Sequence, residues 1–141
     1  MPFQRHPVGT PASVPLALLL AAPALLPFAA LAADFDGSKN LLCASQQVMD
    51  VNGGREVVSG LPDELGAPSF MRINFKDKTI TGDTRATPIR VLERNGERLL
   101  LQGVELGLGW TLALATSSGK MSGSLVDEDG AVVIFGSCTP L

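Results

Sequence analysis

Two cysteines constrain the fold of this chain more than any other feature. The 141-residue sequence contains only Cys43 and Cys138, so each has one possible partner within the molecule. A disulfide requires that the two Cα atoms lie within about 7 Å of each other. A bond between them would hold the two ends of the folded domain side by side. The pair lacks the C-x-x-C spacing of redox-active thiols, so we interpret it as structural.

The first 32 residues have the layout of a secretory signal peptide. Arg5 precedes a charge-free apolar run, residues 14–32, which ends in small residues. Ala30 and Ala32 form an A-x-A site, which places cleavage after Ala32 and makes Ala33 the first mature residue. The alternative is an uncleaved membrane anchor, because the run approaches the ~20 residues that a spanning helix needs. Three prolines within the run remove helix hydrogen bonds and favour cleavage.

Export would shape the rest of the molecule. Cleavage separates a signal peptide (1–32) from a β-barrel domain (33–141), leaves no stable membrane anchor, and releases the domain into the periplasm or the medium, where disulfides form by default. The mature chain then has ten basic and fourteen acidic residues, a net charge of −4. Nucleic-acid binding is not expected, because it needs clustered Lys and Arg. The length suits one domain with one core.

Turn residues recur at short intervals between apolar runs from residue 33 onward, which is typical of an antiparallel β protein. The segment FMRINF (70–75) alternates apolar and polar residues, and WTLALAT (110–116) predicts a half-buried strand. The last run, AVVIFGSC (131–138), is apolar on both faces and predicts a covered strand. We therefore predict an all-β fold, a single small antiparallel meander barrel of about eight strands, closed where the disulfide joins its first and last strands.

The clearest hairpin signal is Asn95-Gly96, within IRVLERNGERLLLQGV (89–104). This dipeptide suits the two positive-φ positions of a type I′ turn. A turn centred there predicts three cross-strand pairs: Arg94 with Glu97, Glu93 with Arg98, and Leu92 with Leu99. The two charged pairs would each contribute ~0.2–1 kcal/mol. The sequence does not decide which face of the hairpin points inward, because two sets of apolar residues are candidates: Leu92, Leu99 and Leu101, or Ile89, Val91 and Leu100.

The mature sequence offers little catalytic chemistry. The only histidine, His6, lies in the segment predicted to be removed, and the chain has no tyrosine. Ser-His and Cys-His nucleophile pairs and His-based zinc sites are therefore not expected. The acidic stretches DFDGS (34–38) and DEDG (127–130) lack the rest of an EF-hand loop and are typical of turns. We expect no catalytic residue, no cofactor and no metal site, and predict that the protein is not an enzyme.

A barrel of about eight strands can hold side chains alone or one modest ligand. Five residues are candidates for lining such a cavity: Trp110, Leu112, Leu114, Arg72 and Arg90. The first follows a Gly-Leu-Gly stretch, where missing side chains leave room for a ligand. The arginines, together with Arg85, could bind an anionic group. The simpler interpretation is a core tryptophan and solvated arginines on the outer face.

Four segments of the chain resemble a family of small, exported, uncharacterised proteins of Gram-negative bacteria: DFDGSKNLLC (34–43), FMRINFKDKTI (70–80), LLLQGVELGLGW (99–110) and VIFGSCTPL (133–141). The resemblance spans most of residues 34–141 and includes both cysteines. It implies a periplasmic or secreted location and no particular activity. In architecture alone the chain is also similar to lipocalin-like (calycin-like) barrels, and fold alone does not carry function.

Two functions fit these features. The first is a non-enzymatic periplasmic or secreted β-barrel that binds a small apolar ligand or a lipid fragment in its interior. The second is a protein-interaction module, either an envelope factor or an enzyme inhibitor, that acts through its loops, with LPDELGAPS (61–69) as the contact segment. A cavity inside the barrel would favour the first function. A solid core with an exposed patch would favour the second.

Overall fold

The computed structural model describes residues 34–141; the predicted signal peptide and its cleavage site lie outside this range. Within it the chain forms one short 3₁₀ turn, Pro62–Glu64, and ten strands. The strands are β1 (Leu41–Asn52), β2 (Glu56–Gly60), β3 (Phe70–Asn74), β4 (Thr79–Thr81), β5 (Ala86–Pro88), β6 (Val91–Asn95), β7 (Arg98–Glu105), β8 (Leu108–Ala115), β9 (Lys120–Val126) and β10 (Gly130–Pro140). The all-β prediction is confirmed. No helix in the described range is long and apolar enough to cross a membrane.

All ten strands belong to one antiparallel sheet, in the order β5-β4-β3-β1-β10-β9-β8-β7-β6, with β2 paired to β1 alone. The first and last strands are therefore neighbours at the centre of the sheet. One edge of β1 serves two partners, because residues 41–44 pair with β3 and residues 48–52 pair with β2. A β-bulge after Ser45 separates the two halves. The sheet therefore has a protruding β1–β2 hairpin in addition to the strands of the barrel.

The predicted disulfide between the first and last strands is confirmed. Cys43 lies directly opposite Cys138, with their Cα atoms 3.8 Å apart. The Cys138 N–H donates to the Gly119 carbonyl on the side away from β1, at 2.8 Å. The two cysteines are therefore a non-hydrogen-bonded pair, the type in which antiparallel Cα atoms approach most closely. Both side chains are buried, so the bond is part of the core.

A single extended segment, residues 86–95, curls the sheet into a small barrel. Its first half, β5, pairs with β4, and its second half, β6, pairs with β7. The Ile89 N–H donates to the Lys78 carbonyl, and the Arg90 N–H donates to the Gln102 carbonyl, both at 2.8 Å. Pro88 has no N–H to offer toward β7, because its nitrogen is substituted. The segment therefore changes its partner strand from β4 to β7 just after Pro88. Between β5 and the end of β7 the two strands lie side by side without pairing, and we call this junction the seam.

The predicted register of the β6–β7 hairpin was wrong by two residues. The observed pairs are Leu92 with Leu101, Glu93 with Leu100, Arg94 with Leu99, and Asn95 with Arg98. The turn is centred on Gly96-Glu97, and Gly96 alone has positive φ there. A slip of two residues leaves every side chain on the same face, so hydrophobic patterning cannot distinguish the two registers.

The inward face of the β6–β7 hairpin carries Leu92, Leu99 and Leu101; of the competing set, Ile89, which precedes β6, is also buried. Leu99 and Leu101 are at most 1% exposed, whereas Val91 points outward. Together with residues from other strands they fill the half of the barrel that contains the disulfide. The fully buried residues of this packed half include Leu41, Ile73 and Leu114.

Residues 34–40 cover the end of the barrel next to the disulfide. The Phe35 ring packs on Gly119, where a Cβ would overlap it. Gly37 lies against the Arg94 guanidinium and the Phe75 ring. The Asn40 side chain accepts a hydrogen bond from the Phe75 N–H at 3.1 Å. This segment closes one end of the barrel, and we call that end the closed end.

Candidate functional site

A cavity of about 520 Å³ opens at the other end of the barrel. It lies between the β4–β5 turn, the β7–β8 turn and the 61–69 connection. Sites for small molecules typically have volumes of ~300–1,000 Å³ and mostly apolar walls. The wall of this cavity has the same character, with apolar side chains from five strands: Met71, Ile80, Leu108, Leu112, Leu125 and Ile134. We call this the open end.

Trp110 forms one side of the cavity and fills the seam. Gly103 is the directly opposite residue on β7, and its missing side chain lets the indole lie on the backbone. A Cβ at Gly103 would overlap the indole and would lie 2.7 Å from the Pro88 carbonyl oxygen. The indole Nε1–H donates to Thr87 Oγ1 at 3.3 Å. Trp110 is therefore held between β7 and β5, with part of its surface in the cavity wall.

Gly123 leaves space in the wall at mid-height. It lies on the inner face of β9, opposite Leu112 on one side and Ile134 on the other. Both neighbours are buried, and a Cβ on Gly123 would lie 3.5 Å from Leu112 Cδ1 and 3.3 Å from the Thr111 carbonyl oxygen. The next inward residue of β9 toward the closed end is Met121, which is buried. The change from methionine to glycine along β9 helps to explain why the closed half is packed and the open half is hollow.

The rim of the cavity is polar. Arg85 in the β4–β5 turn forms an ion pair with Glu105 at the end of β7, at 3.6 Å across the seam. The side chains are 55% and 27% exposed, so the pair contributes only ~0–1 kcal/mol. Asp83 and Thr84 also border the opening. An apolar interior below a charged rim suits a molecule that buries an apolar part and leaves a polar end at the opening.

Among residues 34–141, the one side chain whose pKa is clearly shifted lies at the closed end. Asp36 accepts hydrogen bonds from the side chain and the backbone N–H of Ser38, the latter at 2.8 Å, and these lower the pKa of Asp36 below its ordinary value of 3.8. The positive charge of Arg94 acts in the same direction. The carboxylate is fully exposed and lies in the turn that covers the barrel, so it has a local role in the turn.

The structure places the predicted cavity residues in three locations. Two line the cavity: Trp110 and Leu112. One, Leu114, lies on the same face of β8 but in the packed half, where it is 1% exposed. Two are exposed and do not line the cavity: Arg72 and Arg90. Arg85 borders the opening through its ion pair with Glu105.

Sequence reasoning missed the turns that form the rim. Residues 82–85 and 105–108, with Gly66 and Pro68 of the 61–69 connection, come together only after the sheet has curled. One signal could have indicated the cavity. In the predicted strands, apolar residues that face inward alternate with residues that face outward. Gly103 and Gly123 occupy inward positions of this pattern and have no side chain to fill the interior.

Comparisons with known proteins do not narrow the function. No family model, curated protein or solved structure matches this chain. The resemblance to small exported proteins of Gram-negative bacteria therefore stays a prediction. Function is inferred from the geometry and chemistry of the cavity itself.

Proposed function

We propose that this protein is a non-enzymatic, exported β-barrel that binds a small apolar molecule, or the apolar part of a lipid, in the open cavity. The observation that carries this proposal is an apolar space of about 520 Å³ that reaches solvent through a polar rim. Burial of apolar ligand surface would supply the affinity, at ~25 cal/mol per Å² removed from water before the cost of association. The Arg85–Glu105 pair and Thr87 would orient the polar end.

Export is part of the same proposal. The Cys43–Cys138 bond supports it, because disulfides persist in oxidising compartments such as the periplasm and the extracellular medium. The signal-peptide layout, with cleavage after Ala32, supplies the route. A carrier of this kind would meet its ligand in or beyond the cell envelope.

The intrinsic fluorescence of the protein gives a direct test. Trp110 is the only tryptophan and the chain has no tyrosine, so the emission reports the cavity wall. We would titrate the protein with N-phenyl-1-naphthylamine, an apolar dye that accepts energy from indole. The expected result is a saturable loss of Trp110 emission with a matching rise in dye emission, and displacement of the dye by dodecanol.

Two glycine variants locate the bound dye. Gly123→Leu places a side chain on the inner face of β9, where we expect binding to weaken at least about tenfold, or ~1.4 kcal/mol. Gly109→Leu is the matched control, because that position faces outward and an added Cβ would meet its nearest neighbour at 3.8 Å. Thermal unfolding of both variants would establish that they are folded. Absence of saturable binding, or equal binding by both variants, would refute the proposal.

The second candidate function is the interaction module that acts through residues 61–69. The connection presents Leu61, which is 58% exposed. It is ordered by its own hydrogen bonds, because the Leu61 N–H donates to the Glu64 carboxylate at 2.9 Å and the Ser69 hydroxyl donates to Asp63. Native mass spectrometry of protein purified from its own cells separates the two functions. A retained small mass favours the carrier, and a retained polypeptide with an empty cavity favours the module.

A further inference from the structure

One outer wall of the barrel carries no charged residue. Directly opposed residues of antiparallel strands share a face, so the register defines rows that cross the outside of β7, β8, β9, β10, β1 and β2. The first row consists of Val104, Gly109, Val126, Ala131, Val51 and Val57. The next two rows also lack Asp, Glu, Lys and Arg. The three rows are the outward residues of 100–104, 109–113, 122–126, 131–135, 47–51 and 57–59, and we call them the neutral wall.

The neutral wall is exposed within the part of the chain that the structure describes. Val57, Val104, Val126 and Phe135 are between 43% and 59% exposed. A shallow groove of about 440 Å³ lies beside Phe135. The opposite outer wall, by contrast, carries Arg72, Arg90 and Glu93. Single exposed apolar residues are ordinary, whereas the core of a protein interface is depleted of charged residues, as this face is.

Opposite charges border the neutral wall at its two ends. Lys120 begins β9 at the closed end, and Glu128 lies in the turn that follows β9 at the open end. Both are exposed, and within residues 34–141 neither side chain takes part in an ion pair. Consider a second copy related to the first by a twofold axis that lies in the plane of the wall and runs perpendicular to the strands. The β9 strand of the second copy would lie over β9 of the first and run in the opposite direction. Lys120 of each copy would then face Glu128 of the other.

We propose that the neutral wall is the interface of a twofold-symmetric dimer of this chain. On β9 the contact is self-complementary, because the rotation that superposes the neutral rows also places Lys120 of each copy opposite Glu128 of the other, as an isologous contact requires. The small side chains of Gly109, Ala113 and Ser122 permit two sheets to approach to the usual ~10 Å. Because the sheet curls, only the strands nearest β9 can lie flat against a partner; about four strands at ~4.8 Å spacing are ~15–19 Å wide, and β9 with its turn is about 26 Å long. The footprint is on the order of 400–500 Å² per copy, which is the size of weak, transient contacts and predicts association only at high protein concentration.

Charge reversal tests the proposed orientation by sedimentation equilibrium of the full chain with its disulfide formed. Lys120→Glu and Glu128→Lys should each raise the dimer dissociation constant about tenfold, or ~1.4 kcal/mol. The double variant should return to within about threefold of the original, because it restores both contacts with reversed sign. Lys76→Glu and Glu97→Lys change the net charge equally at exposed sites off the wall and should leave dimerisation unchanged.

Removing apolar contacts tests the surface independently of charge. Val126→Ser with Phe135→Ser should shift the protein to monomers, whereas Val91→Ser, at a partly exposed outward position of β6, should not. Dye binding in the open cavity should survive in the monomeric variant, because neither residue lines it. The proposal is overturned if the protein is still monomeric at about 1 mM, a concentration at which weak pairs associate. It is also overturned if the double charge variant fails to recover dimerisation.

Discussion

At Gly103 the inner face of β7 has no side chain, and the indole of Trp110 occupies that position. The same contact brings Trp110 within hydrogen-bond distance of Thr87 on the other side of the seam. One missing methyl group thus lets a single side chain seal the barrel and form part of the cavity wall. Trp110 has a structural role at the seam and a role in the cavity, and substitution of Trp110 itself would confound them.

Substitution of Gly103 separates these roles more cleanly. Gly103→Ala introduces a Cβ that overlaps the indole and approaches the Pro88 carbonyl oxygen at 2.7 Å. We expect the free energy of unfolding to fall by ~1–3 kcal/mol, as in other overpacked cores, with a red shift of Trp110 emission as the ring moves toward water. Urea titration followed by fluorescence measures both. Gly109→Ala, where an added Cβ would meet its nearest neighbour at 3.8 Å, is the control; equal stability of the two variants would contradict the packing described for Trp110.

The turn at Asp36 predicts a pH dependence of stability at the acid end. The pKa of Asp36 is lower in the folded protein than its ordinary value of 3.8, because the Ser38 hydroxyl and N–H bond to the carboxylate. A lowered pKa stabilises the fold above the unfolded value, and this contribution is lost as the pH falls through the folded pKa. Two-dimensional NMR of the side-chain carboxyl should show a titration midpoint below 3.8. Ser38→Ala should raise that midpoint; an unchanged midpoint would refute the role of Ser38.

At the scale of elements, the strands were predictable but one register was not. Alternation identified β3 and β8, because a half-buried strand shows a period of two in its sequence. In the β6–β7 hairpin the same alternation is satisfied by two registers two residues apart. Asn95-Gly96 favoured one of them, and the structure has the other, with Gly96 first in the turn. Local turn preference was therefore outweighed by the fit of the hairpin to the rest of the barrel.

The observed register predicts that Glu93 and Arg98 do not interact. Glu93 lies opposite Leu100, and Arg98 lies opposite Asn95. A double-mutant cycle with Glu93→Ala and Arg98→Ala should therefore give a coupling free energy near zero, below about 0.3 kcal/mol, whereas a directly opposed pair would give ~0.2–1 kcal/mol. Urea unfolding of the four proteins measures the coupling. A value near 1 kcal/mol would indicate the register predicted from the Asn95-Gly96 signal.

The closure of the barrel was predictable only in part. The cysteine pair required the first and last strands to be neighbours, and they are. The other junction depends on Pro88, whose missing N–H interrupts pairing toward β7 just before the chain changes partner. A proline in a short run indicates an edge or a break, but the partners on either side depend on contacts distant in sequence. The cavity is lined by turns and strands that meet only once the sheet has curled, and so its position could not be predicted from the strand pattern.

For the whole molecule, the disulfide is expected to be the largest single contribution to stability. It joins residues 95 positions apart in sequence, and the chain-entropy model gives ~4–5 kcal/mol for a loop of that order. Replacement of Cys43 and Cys138 by serine should lower the free energy of unfolding by ~2–5 kcal/mol, measured by urea titration. The unsubstituted protein with reductant is the matched comparison. A loss below about 1 kcal/mol would mean that the sheet holds its two central strands together without the bond.

The two ends of the barrel have different roles: the closed end stabilises the fold, and the open end contains the proposed binding site. The disulfide, the buried leucines and the 34–40 segment fill and cover one end. The other end has Gly123 in the wall, the Trp110 indole at the seam and charged residues at the rim. This division explains why Leu112 and Leu114, two residues apart on one face of β8, lie in different environments. Sequence periodicity places both on the inner face but cannot give their depth.

Two-dimensional NMR of the protein titrated with decanol tests the central claim most directly, because it shows both whether an apolar molecule binds and where. We predict saturable shifts of the Trp110 indole N–H and of the Gly123 amide, with the amides of Leu99 and Leu114 at the packed end unchanged. Absence of saturable shifts, or shifts confined to outward residues such as Val126 and Phe135, would contradict the assignment of the open cavity as a binding site.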